Sequence, residues 1–407
     1  MIRAAFPAGV RTAAATLAIV MLAAVCPGSP ARAATPYDQR VGVALRIGGG
    51  PRGDDSAYWQ AGFGPWDGAH VHPRIVSLFL RWNQVEPKPG AWDWGRLASS
   101  YADARAHGYF IILRVVTGHF APSWIYTTAG VTGVTLYDPD SGAYDYRFPV
   151  VWSKPYRHQI ALLAQEIGSL LQTRFPGSTE TWGDYTAGVP VAAASDNGTE
   201  MALRQRLFYN TRSRAVWNAV TPEPPRGESR MRLRSDLTAA AWEKGVAHYL
   251  AAITNAPVLL ALGGMFKDHG AHATVMAHTL FTSANAGRLV GMHTNFIPER
   301  GQDAGEAWVP AGPWGRRFPR DADQLKAIRR NGGAVALQSA SYGGGTPHSY
   351  AGWFTNPQSA YVWALRNDLE THWAGARFFE TAGVFANPAI AGVLLNEVQP
   401  ALVAAHG

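Results

Sequence analysis

Leu78-Phe-Leu-Arg-Trp-Asn-Gln-Val-Glu-Pro-Lys-Pro-Gly-Ala-Trp-Asp-Trp94 begins as an apolar run and ends in a polar, aromatic loop marked by prolines. A helical stretch follows, and then a second apolar run, Tyr109-Phe-Ile-Ile-Leu-Arg-Val-Val116. Behind that run comes another decorated loop, Thr117-Gly-His-Phe-Ala-Pro-Ser-Trp-Ile125. Continuously apolar runs of strand length separated by helices are the pattern of parallel strands covered on both faces. The passage therefore reads as strand, loop, helix, strand, loop.

The same alternation continues outward. Eight runs have strand character: Gly42–Ile47, Ile75–Trp82, Phe110–Val116, Pro190–Ser195, Val258–Gly263, Leu289–His293, Ala334–Ser339 and Ala376–Glu380. Helical patterns lie between them at Arg96–His107, Pro155–Phe175, Leu237–Thr254, His272–Ala284, Asp321–Asn331 and Ser359–Thr371. Pro388–Ala405 reads as a last helix closing the barrel bottom. The alternation predicts an α/β fold, and eight strands predict a (β/α)8 TIM barrel rather than a doubly wound sheet. No Gly-rich phosphate fingerprint follows a strand, which argues against a nucleotide fold. Thr117–Val151 and Thr221–Arg234 read as inserted loops in a single domain, 34–407.

Residues 1–33 have the pattern of an export signal. Arg3 and Arg11 precede an apolar stretch, Thr12–Val25, too short to span a bilayer, and Ala31-Arg32-Ala33 fits the small-x-small cleavage rule. Cleavage near Ala33 would release a secreted protein. Val25 occupies the position before Cys26 where a lipoprotein needs a small residue. Cys26 is the one cysteine, so residues 34–407 contain no disulfide, cysteine nucleophile or thiolate metal site.

The formal charge is +7, of which Arg3, Arg11 and Arg32 carry three, leaving +4 on the mature chain. The positive residues are scattered, apart from Arg226–Arg234 and Arg316–Arg330, and no basic helix face emerges. That disfavours nucleic acid as a partner. No stable membrane insertion is expected after cleavage, and the oligomeric state is open. The 15 Trp, 15 Tyr and 16 Phe include many in polar loops: Trp59, Trp66, Trp92, Trp94, Trp124, Trp182, Trp308, Trp314 and Trp353. A flat aromatic face suits a sugar ring, but large barrels also pack tryptophan between helices and loops. For any one of these residues the two readings are equal.

The Arg81-Trp…Glu86-Pro…Gly…Trp92-Asp-Trp94 passage, with Pro122-x-Trp124 after the next strand, resembles the (β/α)8-barrel retaining glycoside hydrolases of the β-galactosidase-like and cellulase-like branches. The resemblance covers residues 76–201 and extends beyond them only as a layout. It implies a carbohydrate-active barrel with its site at the C-terminal ends of the strands. In such enzymes a general acid/base Glu follows strand four, and Glu200, in Asp196-Asn-Gly-Thr-Glu200, matches by position. It would protonate the leaving oxygen and later deprotonate water, which needs a raised pKa. Its bland alternative is a helix-start carboxylate beside Asn197 or Thr199.

The resemblance also implies a nucleophilic Glu after strand seven, where this chain has Ala334-Val-Ala-Leu-Gln338-Ser-Ala-Ser-Tyr342. A glutamine cannot form a glycosyl-enzyme intermediate. Glu380 is the preferred substitute carboxylate and Asp268 the next, although Glu380 reads equally well as a buried acid paired with Arg81 or Arg114. Candidate substrate-binding residues are Arg81, Asn83, Arg114, His119, Trp124, Asn197, His293, Gln338, Tyr342 and Trp353. Glu86 reads as loop architecture. His70-Val-His72 has a metal-binding spacing but precedes strand two, and Asp268-His269-x-x-His272 lacks a third strong ligand. No metal and no cofactor is expected. The expected function is that of a secreted glycoside hydrolase-like protein. The alternative is a non-catalytic carbohydrate-binding barrel that has lost its nucleophile, and a metal-dependent hydrolase ranks last.

Overall fold

The computed structural model describes residues 40, 42, 44–47, 64–193, 205–208, 210–262, 279–282, 284–285, 287–296, 328, 334–339, 371–373, 392, 395–396, 399–400 and 403. The chain divides into two compact units, 1–34 and 35–407, and every described residue belongs to the second.

Among the described residues, eight parallel strands form one sheet: β1 (Ala44–Ile47), β2 (Ile75–Arg81), β3 (Phe110–Val116), β6 (Thr186–Pro190), β7 (Val258–Leu262), β8 (Leu289–Phe296), β9 (Ala334–Ser339) and β10 (Thr371–Trp373). Their spatial order is their chain order, with no reversal. A doubly wound sheet reverses direction at a switch point; the unreversed order here is the one that a (β/α)8 barrel uses. The protein is thus α/β with the barrel's strand order.

Side-chain alternation along the strands sorts into two separate hydrophobic clusters. Val76, Leu78 and Leu80 of β2, Ile111, Leu113 and Val115 of β3, Val258 and Leu260 of β7, and Leu289 of β8 join the large cluster that includes the helices. The alternate residues Ile75, Ile112, Leu259, Ala261 and Val290 join Ala44 in a second cluster on the other face. A period of two with both phases buried means that neither face of the sheet meets water.

The helices follow local signals. α1 (Trp82–Val85) and α2 (Gly95–His107) separate β2 from β3. α3 (Trp124–Thr127) follows β3, and α4 (Lys154–Leu171) starts at Ser153, whose hydroxyl accepts the Tyr156 amide, with Pro155 in its first turn. Its buried residues Tyr156, Ile160, Leu163, Ala164, Ile167 and Leu171 recur at three- and four-residue spacing. α5 (Gln205–Phe208), α6 (Thr211–Val220) and α7 (Arg230–Ala252) precede β7. Among the described residues, no helix is long and apolar enough to cross a membrane.

Several boundaries differ from expectation. The fourth sheet strand runs Thr186–Pro190, not Pro190–Ser195. The apolar Val191–Ala193 signal sits beyond the strand, while Thr186 is buried and hydrogen-bonded to Tyr101 and to the Trp182 carbonyl. The eighth strand is the polar-aromatic Thr371–Trp373, paired with Val335–Leu337. Thr371 was expected to end a helix; the expected strand at 376–380 lies outside the described residues. α7 begins at Arg230, so the insert starting at Thr221 is shorter than expected. Buried Arg234, Ser235 and Thr238 hide its apolar face from a hydropathy reading. The Thr117–Val151 insert contains an antiparallel hairpin, β4 (Gly133–Asp138) and β5 (Ala143–Pro149).

The N-terminal end of the sheet is fastened by Arg40. Its buried guanidinium donates to the carbonyls of Gly183 (2.5 Å), Thr186 (2.9 Å) and Asn255 (3.1 Å). One side chain thereby joins the segment before β1, the start of β6 and the α7–β7 loop. From the other end of the chain, Gln399 accepts the Arg74 amide (2.7 Å) and donates to the His72 carbonyl (2.9 Å). An Arg40→Ala variant leaves three carbonyls without this donor. It should lose about 2–4 kcal/mol of unfolding free energy in urea titration, as expected for charge-assisted bonds to buried acceptors.

Candidate functional site at the C-terminal ends of the strands

β2, β3 and β6 are parallel, so Arg81, Thr117 and Ala192 emerge at the same end of the sheet. The Thr117 hydroxyl donates to the Ala192 carbonyl at 2.6 Å and ties the last turns of these neighbours together. Gly118, at φ +66°, lets the chain turn sharply out of β3 into a 3-10 turn, Gly118–Phe120. That turn presents His119 and Phe120. The His119 ring lies against Phe120 (3.9 Å between centroids) and edge-on to Tyr146 of β5 (5.7 Å). The Arg81 guanidinium sits 4.8 Å from the centre of the Phe120 ring, a cation–π distance. Arg81 and Asn83 are exposed.

Arg114 lies deeper. It is buried, paired in register with Phe79, and two residues beyond Ile112 of the inner cluster. By alternation it lies on the inner face of β3 just below the rim. A guanidinium keeps its charge there and favours an anionic or hydroxylated partner. Arg81, Asn83, Arg114 and His119 therefore share one end of the sheet. Phe120 and Tyr146, which the sequence reading did not single out, complete the cluster. Tyr146 was hidden because the hairpin carrying it read as an irregular loop.

The loop that opens this rim is built around Glu86, which is buried. Its carboxylate accepts the Trp82 indole N–H (2.8 Å) and the Gly90 amide (2.9 Å), and its own carbonyl accepts the Trp124 indole N–H (3.0 Å). Burial pushes its pKa above the usual carboxylate range. The bonds from Gly90 and Trp82 oppose that shift, and Glu166 adds to it. Glu86 is thus loop architecture, as its Glu-Pro context suggested.

Trp124 does not lie open as a sugar platform. It is buried, meets Trp82 edge-on at 6.5 Å and spends its N–H on Glu86. The other described loop tryptophans also pack. Trp66 stacks between His72 and His107, Trp92 on Trp94, and Trp182 on Tyr101. Trp94 donates to Glu166 at 3.0 Å. In each of the five, a ring face or the indole N–H meets a partner within the protein.

Gln338 is the next-to-last residue of β9 and His293 lies in β8 opposite Leu337. Both backbone positions are on strands of the sheet. Glu200, Glu380, Asp268, Asn197, Tyr342 and Trp353 lie outside the described residues, as do His269 and His272. Among the described residues, no group of three His, Cys, Asp or Glu side chains is placed to hold a metal ion. His70 and His72 precede β2, at the opposite end of the sheet from Arg81.

No family model and no curated protein matches the chain. Solved structures do. A β-galactosidase from the psychrophilic Marinomonas ef1 is 13% identical with a TM-score of 0.46, over 89% of this chain and 61% of its own. A β-galactosidase from Bacillus circulans sp. alkalophilus is 11% identical with a TM-score of 0.48, over 83% of this chain and 50% of its own. A psychrophilic family 10 endo-β-1,4-xylanase is 11% identical with a TM-score of 0.43, over 84% of this chain and 87% of its own. The chain is similar in fold to these glycoside hydrolases. It spans 50–61% of the length of these two β-galactosidases.

Glu86→Gln is the direct test of the loop. A glutamine offers one acceptor oxygen where two N–H donors converge, so one bond is lost. The variant should be about 1–3 kcal/mol less stable near neutral pH. The sign of the pH effect follows from the raised folded-state pKa. The folded chain holds this proton more tightly, so the proton-linked part of the Glu86 contribution, which adds to its hydrogen bonds, is fully present below the unfolded carboxylate value. It is lost as pH rises through the folded one. The wild-type minus variant difference should shift against the wild type across that window in denaturant titrations.

Proposed function

We propose that the protein is an exported glycoside hydrolase-like barrel that acts on a poly- or oligosaccharide by carboxylate acid/base chemistry. The observation that carries the reading is the convergence of Arg81, Asn83, Arg114 and His119 on one end of a singly wound parallel sheet. That is the end at which barrels of this class hold their sites. In the sequence, Glu200 follows the last residue of β6, Pro190, by ten residues. The resemblance of Arg81–Trp94 to retaining glycoside hydrolases agrees with this placement, and closure of the sheet into a full barrel is part of the proposal.

In this reading Glu200 delivers a proton to the glycosidic oxygen as the bond breaks, then takes one from water. Glu380, or Asp268 in its place, supplies the second carboxylate. A separation of about 5 Å between the two carboxyl groups gives retention of configuration, and about 6.5–9.5 Å gives inversion with a water between them. Arg81, Asn83 and His119 offer donors to sugar hydroxyls at the rim, and Asn197, His293, Tyr342 and Trp353 complete the proposed binding set. Residues 1–33 would direct export and be removed near Ala33.

A second reading has its own support. Gln338 occupies the C-terminal end of β9, where the resembling enzymes carry a nucleophilic acid, and an amide cannot take that role. A non-catalytic carbohydrate-binding barrel follows if no other carboxylate replaces it.

Glu200→Gln, assayed on a glycan panel, separates the readings. Loss of about 10²–10⁴ in turnover, with glycan affinity kept, is expected for a general acid/base. Undiminished hydrolysis sinks the assignment. Glycan binding by the wild type with no product after long incubation favours the binding barrel.

A further inference from the structure

The β4–β5 hairpin turns one face to the core and the other to solvent. Val134, Leu136 and Phe148 are buried on the core face, and Tyr146, paired with Leu136, meets His119 from it. Asp145 is an extra residue in β5, skipped in the pairing between Tyr144 and Tyr146. Such a bulge reverses the alternation. Tyr144 and Tyr146, two residues apart, therefore face opposite sides. Tyr144 joins Tyr137, Thr135 and Arg147 on the outer face. Thr135 and Arg147 are exposed there, Tyr137 is half-buried, and Tyr144 is 51% exposed, the most exposed large apolar side chain among the described residues.

Two guanidiniums frame this face. Arg147 lies 4.0 Å from the centre of the Tyr126 ring, and Arg212 lies 4.3 Å from the centre of Tyr137, both at cation–π distance. Tyr144 meets Tyr137 edge-on at 5.4 Å. The frame is built rather than fortuitous. At Gly133 a Cβ would stand 2.7 Å from the Tyr126 ring and 3.0 Å from Arg147 Nε. The start of α6 is tied to β4: the Tyr137 amide donates to the Ser213 hydroxyl (3.0 Å) and the Asn210 side chain donates to the Tyr137 carbonyl (3.0 Å). Those bonds hold Arg212 beside Tyr137.

The N–H groups of both guanidiniums are unspent. Among the described residues, neither Arg147 nor Arg212 has a hydrogen-bond or carboxylate partner, whereas the exposed Arg105 and Arg232 each hold a carboxylate. A guanidinium resting on a ring keeps its planar fork for a carboxylate, which it binds with two parallel bonds. The exposed tyrosine beside it offers an apolar ring face and a hydroxyl. Carboxylates, apolar ring faces and hydroxyls occur together along a polysaccharide of uronic acids. Asp145 is also exposed. It can accept from a sugar hydroxyl, but it repels a phosphate backbone, so the combination favours an acidic glycan over a nucleic acid.

We propose that the outer face of the β4–β5 hairpin is a surface site for an acidic polysaccharide, with Arg147 and Arg212 on its uronate carboxylates and Tyr144 against a sugar ring. The hairpin separates this site from the His119–Tyr146 group, so it stands apart from the rim and from any hydrolysis there.

The test is calorimetric titration of the intact protein near neutral pH with an oligogalacturonate. A second arm uses the same oligomer with its carboxylates reduced to hydroxymethyl groups, and a third uses single-stranded DNA of equal charge. The oligogalacturonate should bind at least about tenfold more tightly than the reduced oligomer or the DNA, and less tightly as salt rises from about 0.05 M to about 0.5 M. Arg147→Gln, Arg212→Gln and Tyr144→Ala should each weaken it by roughly tenfold, as expected for loss of a charge-assisted pair or a stacked ring. All three residues are solvent-facing, and circular dichroism checks that each variant is folded. Arg174→Gln removes the same charge ahead of β6, at the other end of the sheet, and should leave the affinity unchanged. No binding, equal affinity for the reduced oligomer, tighter binding of DNA, or an equal loss in Arg174→Gln overturns the proposal. So does binding that Arg81→Gln abolishes and Arg212→Gln spares, which would put the oligomer at the rim.

Discussion

Everything else in the structure depends on a sheet that has to bury both of its faces. A parallel strand covered on one side only would leave alternate Ile, Leu and Val side chains in water, at about 1.5–3 kcal/mol for each large one. Here the two phases of β2, β3, β7 and β8 feed two distinct clusters, one with the helices and one on the opposite face of the sheet. The inner cluster is small and is built from Ala and branched aliphatic residues, which leaves Arg114 as the buried charge just above it. The rim is therefore a consequence of the packing: where the inner apolar layer stops, polar side chains begin.

The same constraint explains why the aromatic loops contribute less to the surface than their composition suggests. A loop leaving the end of a strand must satisfy its own amides and cover the outer core. Glu86 does this for the β2 loop: its buried carboxylate accepts the Trp82 indole N–H and the Gly90 amide, and its backbone carbonyl accepts the Trp124 indole N–H. Trp82, Trp124 and Tyr156 then form an edge-on aromatic layer beneath that loop. What remains at the surface is Arg81, Asn83 and the His119–Phe120–Tyr146 group, which is smaller and more polar than a tryptophan platform.

Much of this was legible in the chain. The runs at Ile75–Trp82 and Phe110–Val116 differ from the observed strands by one residue at most, because continuous apolarity is a strong signal when both faces are buried. Glu86 was readable as scaffold from its Glu-Pro setting. The start of β6 was missed because Thr186 and Gly188 carry little hydropathy, and their place is fixed by Tyr101 and by close packing against Leu259. β10 was missed because Thr-His-Trp has no apolar run, and the hairpin because its alternation was broken by a bulge near Tyr137. The burial of Trp124 could not be read at all, since it depends on a carbonyl 38 residues earlier in the chain. The structure brings Arg81, Asn83, Arg114 and His119 to one end of the sheet, while the expected carboxylates belong to segments beyond the described residues.

The central claim is that the C-terminal end of β2 and β3 is the carbohydrate-facing end of the sheet. A crystal of the mature protein soaked with an oligosaccharide from the hydrolysable or bound class tests it most directly. The account predicts a sugar ring over the His119–Tyr146 group with a hydroxyl within about 3.2 Å of Arg81 or Asn83. A sugar ordered only elsewhere on the molecule, with this rim empty at saturating ligand, would contradict it.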